Sequence, residues 1–250
     1  MFPPPQDAAH WLLALALNAV LIGLAQRLPL LTPAGWFHAA ILGSVLWGTL
    51  GPRGWLAVVG YLLLGSLVTR VGFRTKQAEG LAESRGGRRG PENVWGSALV
   101  AAVLALLTPR AGPWATLVLL GFAASLGAKL ADTFGSEIGK RWGRHTVLIT
   151  TLRPVPRGTE GAISLEGTAA SAGGSALMAA VMAGLGVIET PRAWALVTGV
   201  GLAATLLESL IGATAQQRLR WLSNELVNGL QTLVGALLAM GLALWVPGVF

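Results

Sequence analysis

Long apolar runs separated by short polar segments dominate the chain. Eight such runs lie at about 11–26, 34–50, 54–70, 94–109, 113–131, 167–188, 193–212 and 225–246. Each is close to the ~20 residues that a helix needs to cross a bilayer. Glycine and proline at 51–54 and 109–113 mark the tightest turns between runs. The pattern predicts an all-α, polytopic membrane bundle of about eight helices, within a range of six to eight.

The composition agrees with a bilayer environment. The chain is 53% hydrophobic and only 12% charged, about half the charged fraction of a soluble domain. It has no cysteine, which excludes disulfides and thiolate chemistry. The length of 250 residues fits one transmembrane domain, 1–250, without a separate soluble domain. The 34 glycines suit close packing of helices in lipid.

The basic residues collect on one side of the predicted bundle. Loop A, at about 71–93, and loop B, at about 132–166, are the long connections and carry most of the charge. With eight spans, one side carries Arg27, Arg70, Arg74, Lys76, Arg85, Arg88, Arg89, Lys140, Arg141, Arg144, Arg153, Arg157, Arg218 and Arg220. The other side carries only Arg53, Arg110 and Arg192. The positive-inside rule therefore predicts cytoplasmic loops and two non-cytoplasmic termini. Because topology explains the net charge of +7, we expect no nucleic-acid partner.

The fifth run ends in charged residues, which are costly at membrane depth and indicate a functional site. On a continuous helix, Lys129, Asp132, Thr133, Glu137 and Lys140 lie within an arc of roughly 140°. Gly135 and Gly139 would let the helix end or open nearby. Two carboxylates beside cations suit a Mg²⁺–phosphate site, with Asp132 and Glu137 as metal ligands. The alternative is a structural Lys129–Asp132 pair.

Loop A offers further phosphate ligands. Lys76, Glu83, Arg85, Arg88, Arg89 and Asn93 lie among its glycines, and guanidinium groups bind phosphate oxygens in pairs. Glu79 to Arg85 would fit a short helix. The alternative is a solvated positive-inside loop that contacts anionic lipid headgroups.

Loop B closes with Gly-Thr-Glu-Gly-Ala-Ile-Ser-Leu-Glu-Gly-Thr over 158–168. Its backbone amides would suit phosphate before the sixth run. The alternative is an ordinary helix start with Thr168 as the cap. Near the last two runs, Glu208, Ser209, Asn224 and Asn228 are either ligands for an ion or a polar substrate, or interhelical hydrogen-bonding groups.

Three of these blocks resemble a known membrane-protein family. They are 70–93, 131–140 and 158–168, and a fourth block from Glu208 to Thr214 with Asn224 and Asn228 also fits. Together they resemble the family that contains phytyl-phosphate kinase of the vitamin E pathway and the animal transmembrane protein 19. A more distant similarity, through Asp132, Gly139, Gly143 and Glu160-Gly161, links the chain to CTP-dependent polyprenol and dolichol kinases.

The resemblance implies a Mg²⁺-dependent phosphotransferase in tocopherol biosynthesis. It would transfer a phosphoryl group from a nucleoside triphosphate, CTP or ATP, to phytyl phosphate or a similar isoprenoid monophosphate. Asp132, Glu137 and Lys76 would be catalytic. The phosphate- and nucleotide-binding residues would be Arg74, Glu83, Arg88, Arg89, Asn93, Ser136, Gly139, Lys140, Gly158, Thr159, Gly161, Ser164, Gly167 and Thr168. Lys129, Glu208, Ser209, Asn224 and Asn228 are further polar candidates.

Other functions remain open from the sequence. A phytol or polyprenol kinase, or a lipid-phosphate cytidylyltransferase, would use the same residues on a different acceptor. An ion-coupled transporter would use the intramembrane carboxylates, although no inverted repeat is visible. A membrane scaffold is the third class. The sequence decides neither the oligomeric state nor whether the membrane is a plasma or a thylakoid membrane.

Overall fold

The computed structural model describes residues 8–219 and 221–250, and this part of the chain is almost entirely helical. The α-helices are α1 (Ala8–Ala25), α2 (Pro33–Arg70), α3 (Phe73–Ala78), α4 (Pro91–Leu107), α5 (Ala115–Trp142), α6 (Leu165–Gly184), α7 (Pro191–Ala213), α8 (Ala215–Arg218) and α9 (Asn224–Ala243). Three 3₁₀ turns lie at Ser84–Gly87, Thr108–Arg110 and Gly112–Trp114. Strands β1 (Val147–Leu148) and β2 (Ala162–Ile163) pair antiparallel. Arg220, one of the basic residues counted for topology, lies outside the described residues.

Helix α2 is a hairpin of two arms, 33–50 and 52–70. Gly51 joins the arms with φ 65° and ψ −155°, a conformation that is essentially restricted to glycine. The rings of Trp47 and Trp55 lie 5.9 Å apart, whereas eight residues of straight helix would cover ~12 Å along the axis. Arg70, at the far end, donates a hydrogen bond to the carbonyl of Pro29 at 3.0 Å. The arms therefore run antiparallel, as the second and third apolar runs predicted.

The apolar exterior is that of a membrane protein. Six helical segments of the described chain are long and apolar enough to cross a membrane, α2 counting as one of them. Leu24 on α1 and Leu67 on α2 are 71% and 65% exposed, a pattern expected where lipid replaces water. Helix α6 is less apolar because glycine, alanine and serine fill much of its length. With both arms of α2 and with α6, the eight predicted runs each correspond to a helix.

Helix α5 is the central element of the bundle. In its most apolar window 78% of the residues are buried, against 11% in α1. It packs against α2, α4, α6, α7 and α9. Its contact with α6 depends on small residues, since a Cβ on Gly167 would lie 3.0 Å from the carbonyl oxygen of Gly135. This close approach is typical of helix pairs in lipid.

Two boundaries predicted from the sequence are wrong. Loop B starts after Trp142, not at 132, because α5 continues through Gly135 and Gly139. These glycines face Ser171 and Gly167 on α6, so they serve packing and do not open the helix. The short helix of loop A is Phe73–Ala78, not 79–85. It lies between Gly72 and Gly80, both at positive φ, where glycine is the residue that adopts this conformation without strain.

Candidate active site

A polar cavity of about 250 Å³ opens at one end of the bundle. Helices α2, α5 and α7 end there, and α4, α6 and α9 begin there, so this end collects loops A and B and the segment between α7 and α9. The sequence-predicted residues that line it are Glu83, Arg88, Arg89, Asn93, Lys129, Asp132, Ser136, Glu137, Gly139, Lys140, Gly158, Thr159, Gly161, Ser164, Gly167, Thr168, Glu208, Ser209, Asn224 and Asn228. Arg74 and Lys76 are the two predicted residues that do not line it.

Two arginines of loop A give the cavity unpaired positive charge. In the described part of the chain, neither Arg88 nor Arg89 forms an ion pair with a carboxylate. Arg88 is exposed and donates from Nε to the carbonyl of Arg85 at 3.3 Å. Arg89 donates from Nη1 to the Tyr61 hydroxyl at 2.8 Å. Both guanidinium groups keep donors for an anionic ligand.

Two further cations are tied to loop A by ion pairs. Lys140 Nζ lies 2.8 Å from Glu83 Oε1, and Arg157 Nη2 lies 3.0 Å from Glu79 Oε2. Arg157 also donates to the carbonyls of Lys140 and Arg141 at the carboxyl end of α5, where a cation satisfies free carbonyls. These contacts connect loops A and B across the mouth of the cavity.

The α5 carboxylates lie in two different environments. Asp132 Oδ2 lies 2.5 Å from Lys129 Nζ, and the same amine donates to Asn228 Oδ1 at 2.9 Å. Glu137 is paired with Lys76, which is fully buried and also donates to the Thr69 carbonyl at 2.9 Å. A carboxylate with a buried counter-cation does not need a metal for neutralisation.

Two placements differ from the sequence expectation for loop A. Lys76, predicted to grip a triphosphate, lies beneath the cavity, because its amine is the buried partner of Glu137. Arg74 is exposed on α3 and outside the lining. The two residues lie on α3, a helix that was not predicted from the sequence at this position, and this helix directs Lys76 toward α5.

Three helix amino termini surround the cavity. They are those of α4, α6 and α9, which contribute Asn93, Gly167 and Asn224 to the lining. Ser164 caps α6 by accepting from the Gly167 amide at 3.1 Å, so the cap is Ser164 and not Thr168. Free amides and the helix dipole make such termini favourable for anions.

Loop B is shaped by two glycines at positive φ. Gly158 and Gly161 have φ of 82° and 75°, and β1 pairing with β2 fixes the segment after them. A Cβ on Gly161 would lie 2.6 Å from the carbonyl oxygen of Ser209. Gly161 therefore lets loop B contact α7, which brings Glu160 and Glu208 to the same cavity.

The loop carboxylates have pKa values shifted in opposite directions. Burial opposes ionisation of Glu83, but the charge and hydrogen bond of Lys140 outweigh it and lower the pKa of Glu83. Burial, reinforced by the negative charges of Asp132 and Glu83, raises the pKa of Glu160 despite the opposing charge of Lys140. The ionisation of Glu160 therefore depends on the charge of the other carboxylates in the cavity.

Tyr61 and Ser97 are lining residues that did not enter the predicted site list. The Tyr61 hydroxyl donates to Ser97 Oγ at 3.1 Å and accepts from Arg89. The guanidinium carbon of Arg89 lies 5.2 Å from the centre of the Tyr61 ring. Tyr61 is the single tyrosine of the chain. Its position inside an apolar run is the feature of the sequence that could have identified it as a site residue.

Comparison with known proteins then gives the family. A model of integral membrane protein DUF92 matches residues 16–236. The chain belongs to the DUF92 family of integral membrane proteins. The motif blocks had indicated this family, and the relatives below confirm it. No solved structure matches the chain.

The relatives come from cyanobacteria, plants and archaea. An uncharacterized membrane protein of Synechocystis sp. is 49% identical over 94% of this chain and 92% of its own length. Protein VTE6, chloroplastic, of Arabidopsis thaliana is 39% identical over 92% of this chain and 71% of its own length. An uncharacterized membrane protein of Methanocaldococcus jannaschii is 32% identical over 82% of this chain and 83% of its own length.

Proposed function

We propose that this DUF92 protein is a membrane phosphotransferase of the phytyl-phosphate kinase type. It moves the γ-phosphoryl group of a nucleoside triphosphate, CTP or ATP, to an isoprenoid monophosphate such as phytyl phosphate. The observation that carries the proposal is the cavity itself, where two unpaired arginines and three helix amino termini converge at one end of an apolar bundle. The family resemblance and the 39% identity to VTE6 support the same reaction class.

Electrostatic positioning accounts for the proposed catalysis. Phosphoryl transfer needs little covalent chemistry from a protein, so charge neutralisation and alignment carry most of the rate. Arg88, Arg89 and Lys140 would hold phosphate oxygens, and the amides at the start of α6 would add hydrogen bonds. An acceptor phosphate oxygen attacks the γ-phosphorus, the bond to the β-phosphate oxygen breaks, and the nucleoside diphosphate leaves.

The acceptor requires no general base in this scheme. A phosphate monoester has a second pKa of about 6 and is already mostly dianionic at neutral pH. The cavity lining accordingly includes no histidine among the described residues. An alcohol acceptor such as phytol would need a base, and Asp132 or Glu137 would then have to serve.

The carboxylates of the cavity fit a Mg²⁺ ion that arrives with the triphosphate. Mg²⁺ is usually bound by one or two carboxylates together with phosphate oxygens. Within the described residues, no group of three histidine, cysteine or acidic side chains forms a metal site by itself. Glu160 and Glu208, which form no ion pair among the described residues, would supply ligands together with Asp132. Asp132 and Glu137 are both paired with a lysine, but the Asp132 side chain stays 16% exposed, whereas that of Glu137 is only 3% exposed. When bound, Mg²⁺ would offset charge on the transferred group.

We further propose that the cavity faces the cytoplasm. Its end of the bundle carries the basic loops A and B, and the positive-inside rule places such loops in the cytoplasm. Both termini would then lie on the opposite side. Nucleotide would enter from the aqueous phase and the isoprenoid phosphate from the bilayer.

A transfer assay tests the proposal. The purified protein is incubated with Mg²⁺, phytyl phosphate, and radiolabelled CTP or ATP in parallel. We expect labelled phytyl diphosphate, and a loss on the order of 100-fold in kcat for Asp132→Asn, as for removal of a key electrostatic contact. Glu189→Gln, an exposed carboxylate at the opposite end, serves as the matched control and should retain activity. Absence of any labelled lipid from a folded sample would contradict the proposal.

A further inference from the structure

A second cavity of about 240 Å³ lies beside the polar one and is almost entirely apolar. It is enclosed by α1, both arms of α2, and α4. Leu21, Ile22, Leu42, Val58, Leu62 and Val94 are typical of its lining. We call it the tail groove.

The tail groove adjoins the polar cavity. Tyr61, Arg89, Asn93 and Ser97 line both spaces. On one side of these four residues lie the arginines and helix amino termini, and on the other side lie aliphatic side chains. A ligand that spans the junction must therefore carry an anionic group at one end and a hydrocarbon chain at the other.

Arg89 is held firmly at this junction. Its amide donates to the Leu30 carbonyl at 3.0 Å, and its carbonyl accepts from the Thr32 amide at 3.0 Å. Gly65 makes room for the guanidinium group, since a Cβ there would lie 2.6 Å from Nη2. Within residues 8–219 and 221–250 the group forms no contact ion pair with a carboxylate, although its charge acts on Glu83 from a longer distance, so it can pair directly with an anionic ligand.

The polar atoms inside the groove favour hydrocarbon as the occupant. The Trp55 indole donates to Asn18 Oδ1 at 2.9 Å, and the Asn18 amide donates to the Ala14 carbonyl at 2.9 Å. The polar groups of these two side chains are therefore hydrogen-bonded within the protein. Away from the junction, the buried Nε1 of Trp36 has no hydrogen-bond partner among the described residues, and the rest of the lining is aliphatic. Apolar cavities of this kind take apolar ligands.

We infer that the tail groove binds the isoprenoid chain of the acceptor, with the acceptor phosphate at Arg89 and Asn93. The inference rests on the proposed function and specifies where its lipid substrate lies. The chain would enter between α1 and the hairpin of α2. The nucleotide would occupy the rest of the polar cavity toward Lys140 and the start of α6.

Photolabelling tests the location of the chain without requiring turnover. A phytyl phosphate analogue with a diazirine in mid-chain is bound to the full protein, irradiated, and mapped by mass spectrometry. We expect labelled peptides from 18–31 and 55–63, with labelling suppressed by excess phytyl phosphate. Labelling confined to other helices, or labelling that phytyl phosphate does not suppress, as for a bilayer lipid in the same space, would overturn the inference.

A paired substitution adds a kinetic test. Val58→Trp fills the groove, whereas Leu56→Trp places the same ring on the lipid-facing side of the same arm, where Leu56 is 44% exposed. We expect Val58→Trp to lower the preference for a C20 over a C5 acceptor phosphate by about 10-fold, the effect of lost contacts in an apolar pocket, and Leu56→Trp to keep it. An equal preference for the C20 acceptor in the two variants would contradict binding of the isoprenoid chain in the tail groove.

The two experiments separate the inference from the proposed function. Competed labelling in the groove without phytyl diphosphate formation would retain the lipid site and reject the kinase. Diphosphate formation with labelling elsewhere would retain the kinase and reject the groove.

Discussion

Lys76 and Glu137 form an ion pair that is almost completely shielded from solvent, with 0% and 3% of the side chains exposed. Lys76 was predicted to bind the triphosphate and Glu137 to hold Mg²⁺, and the structure places Lys76 behind Glu137 instead of in the cavity. The pair joins α3 to α5 and so fixes the start of loop A. We interpret it as the connection that positions Arg88 and Arg89.

Removing one member of this pair should destabilise the protein strongly. A buried charge left without its partner costs about 3–5 kcal/mol, so Lys76→Met should lower the thermal unfolding midpoint in detergent. The double variant Lys76→Met, Glu137→Leu should recover part of the loss. Arg85→Gln breaks the exposed pair with Glu92 and should cost about 1 kcal/mol or less. Equal losses for Lys76→Met and Arg85→Gln would refute a buried pair.

Glu160 should give stability a pH dependence opposite to that from Glu83. The pKa of Glu160 is raised in the folded protein, so its contribution is present below the ordinary value of 4.5 and is lost as pH rises through the folded pKa. The pKa of Glu83 is lowered, so its contribution is present above 4.5 and is lost on acidification. Unfolding midpoints measured from about pH 3 to 8 should depend less on pH above 4.5 in Glu160→Gln and less on pH below 4.5 in Glu83→Gln. A Glu160→Gln profile that matches the wild type would contradict the cause assigned here.

The residue-level site could be predicted in large part because charged residues in an apolar chain are few. Asp132, Lys140 and Glu208 are costly in lipid, so their positions alone indicated the cavity. Their partners were harder to foresee. Pairing of Lys76 with Glu137 and of Glu83 with Lys140 depends on how loop A folds over α5, and helical periodicity carries no such information.

At the scale of elements, the hairpin of α2 depends on one backbone conformation. No other atom would lie within 4 Å of a Cβ on Gly51, so a substitution there would be strained only through its φ of 65° and ψ of −155°. Apolar runs and the Gly-Pro pair predicted a turn between two spans. The sequence of the two arms did not show that both would border the tail groove.

Gly51→Ala should therefore destabilise the hairpin through the backbone. A non-glycine residue in this region costs about 1–3 kcal/mol, which should appear as a lower thermal midpoint. Gly23→Ala provides the control because Gly23 lies within α1 with open space around it, and alanine there should stabilise by up to about 1 kcal/mol. A neutral effect of Gly51→Ala would indicate that the hairpin adopts another conformation.

At the scale of the whole molecule, the ends of the helices alternate so that every long polar segment reaches one face of the bundle. The cysteine-free sequence allows this orientation to be tested by single cysteines. Ser84→Cys in loop A should be protected from an impermeant maleimide added outside intact cells, and Ala111→Cys, between α4 and α5, should react. The reverse pattern would place the cavity outside and reject the cytoplasmic orientation.

The bundle could be predicted from the length of the apolar runs, because that length follows from the thickness of the bilayer. The cytoplasmic orientation of loops A and B stays a prediction from the charge distribution. The ends of α5 and α3 could not, since tertiary contacts decide where a helix leaves the membrane. Gly135 and Gly139 show the difficulty of predicting a helix end, because glycine is common both at helix ends and in close contacts between helices. Here contact with α6 is the reason for the glycines.

The central claim is that the cavity transfers a terminal phosphoryl group to an isoprenoid phosphate. The most direct test follows the label from two forms of the same nucleotide, with phytyl phosphate as acceptor. We expect label from the γ-position to appear in phytyl diphosphate and label from the α-position to stay in the nucleotide. Label from the α-position in the lipid would identify a cytidylyltransferase, and no label in the lipid from either form would contradict group transfer at this site.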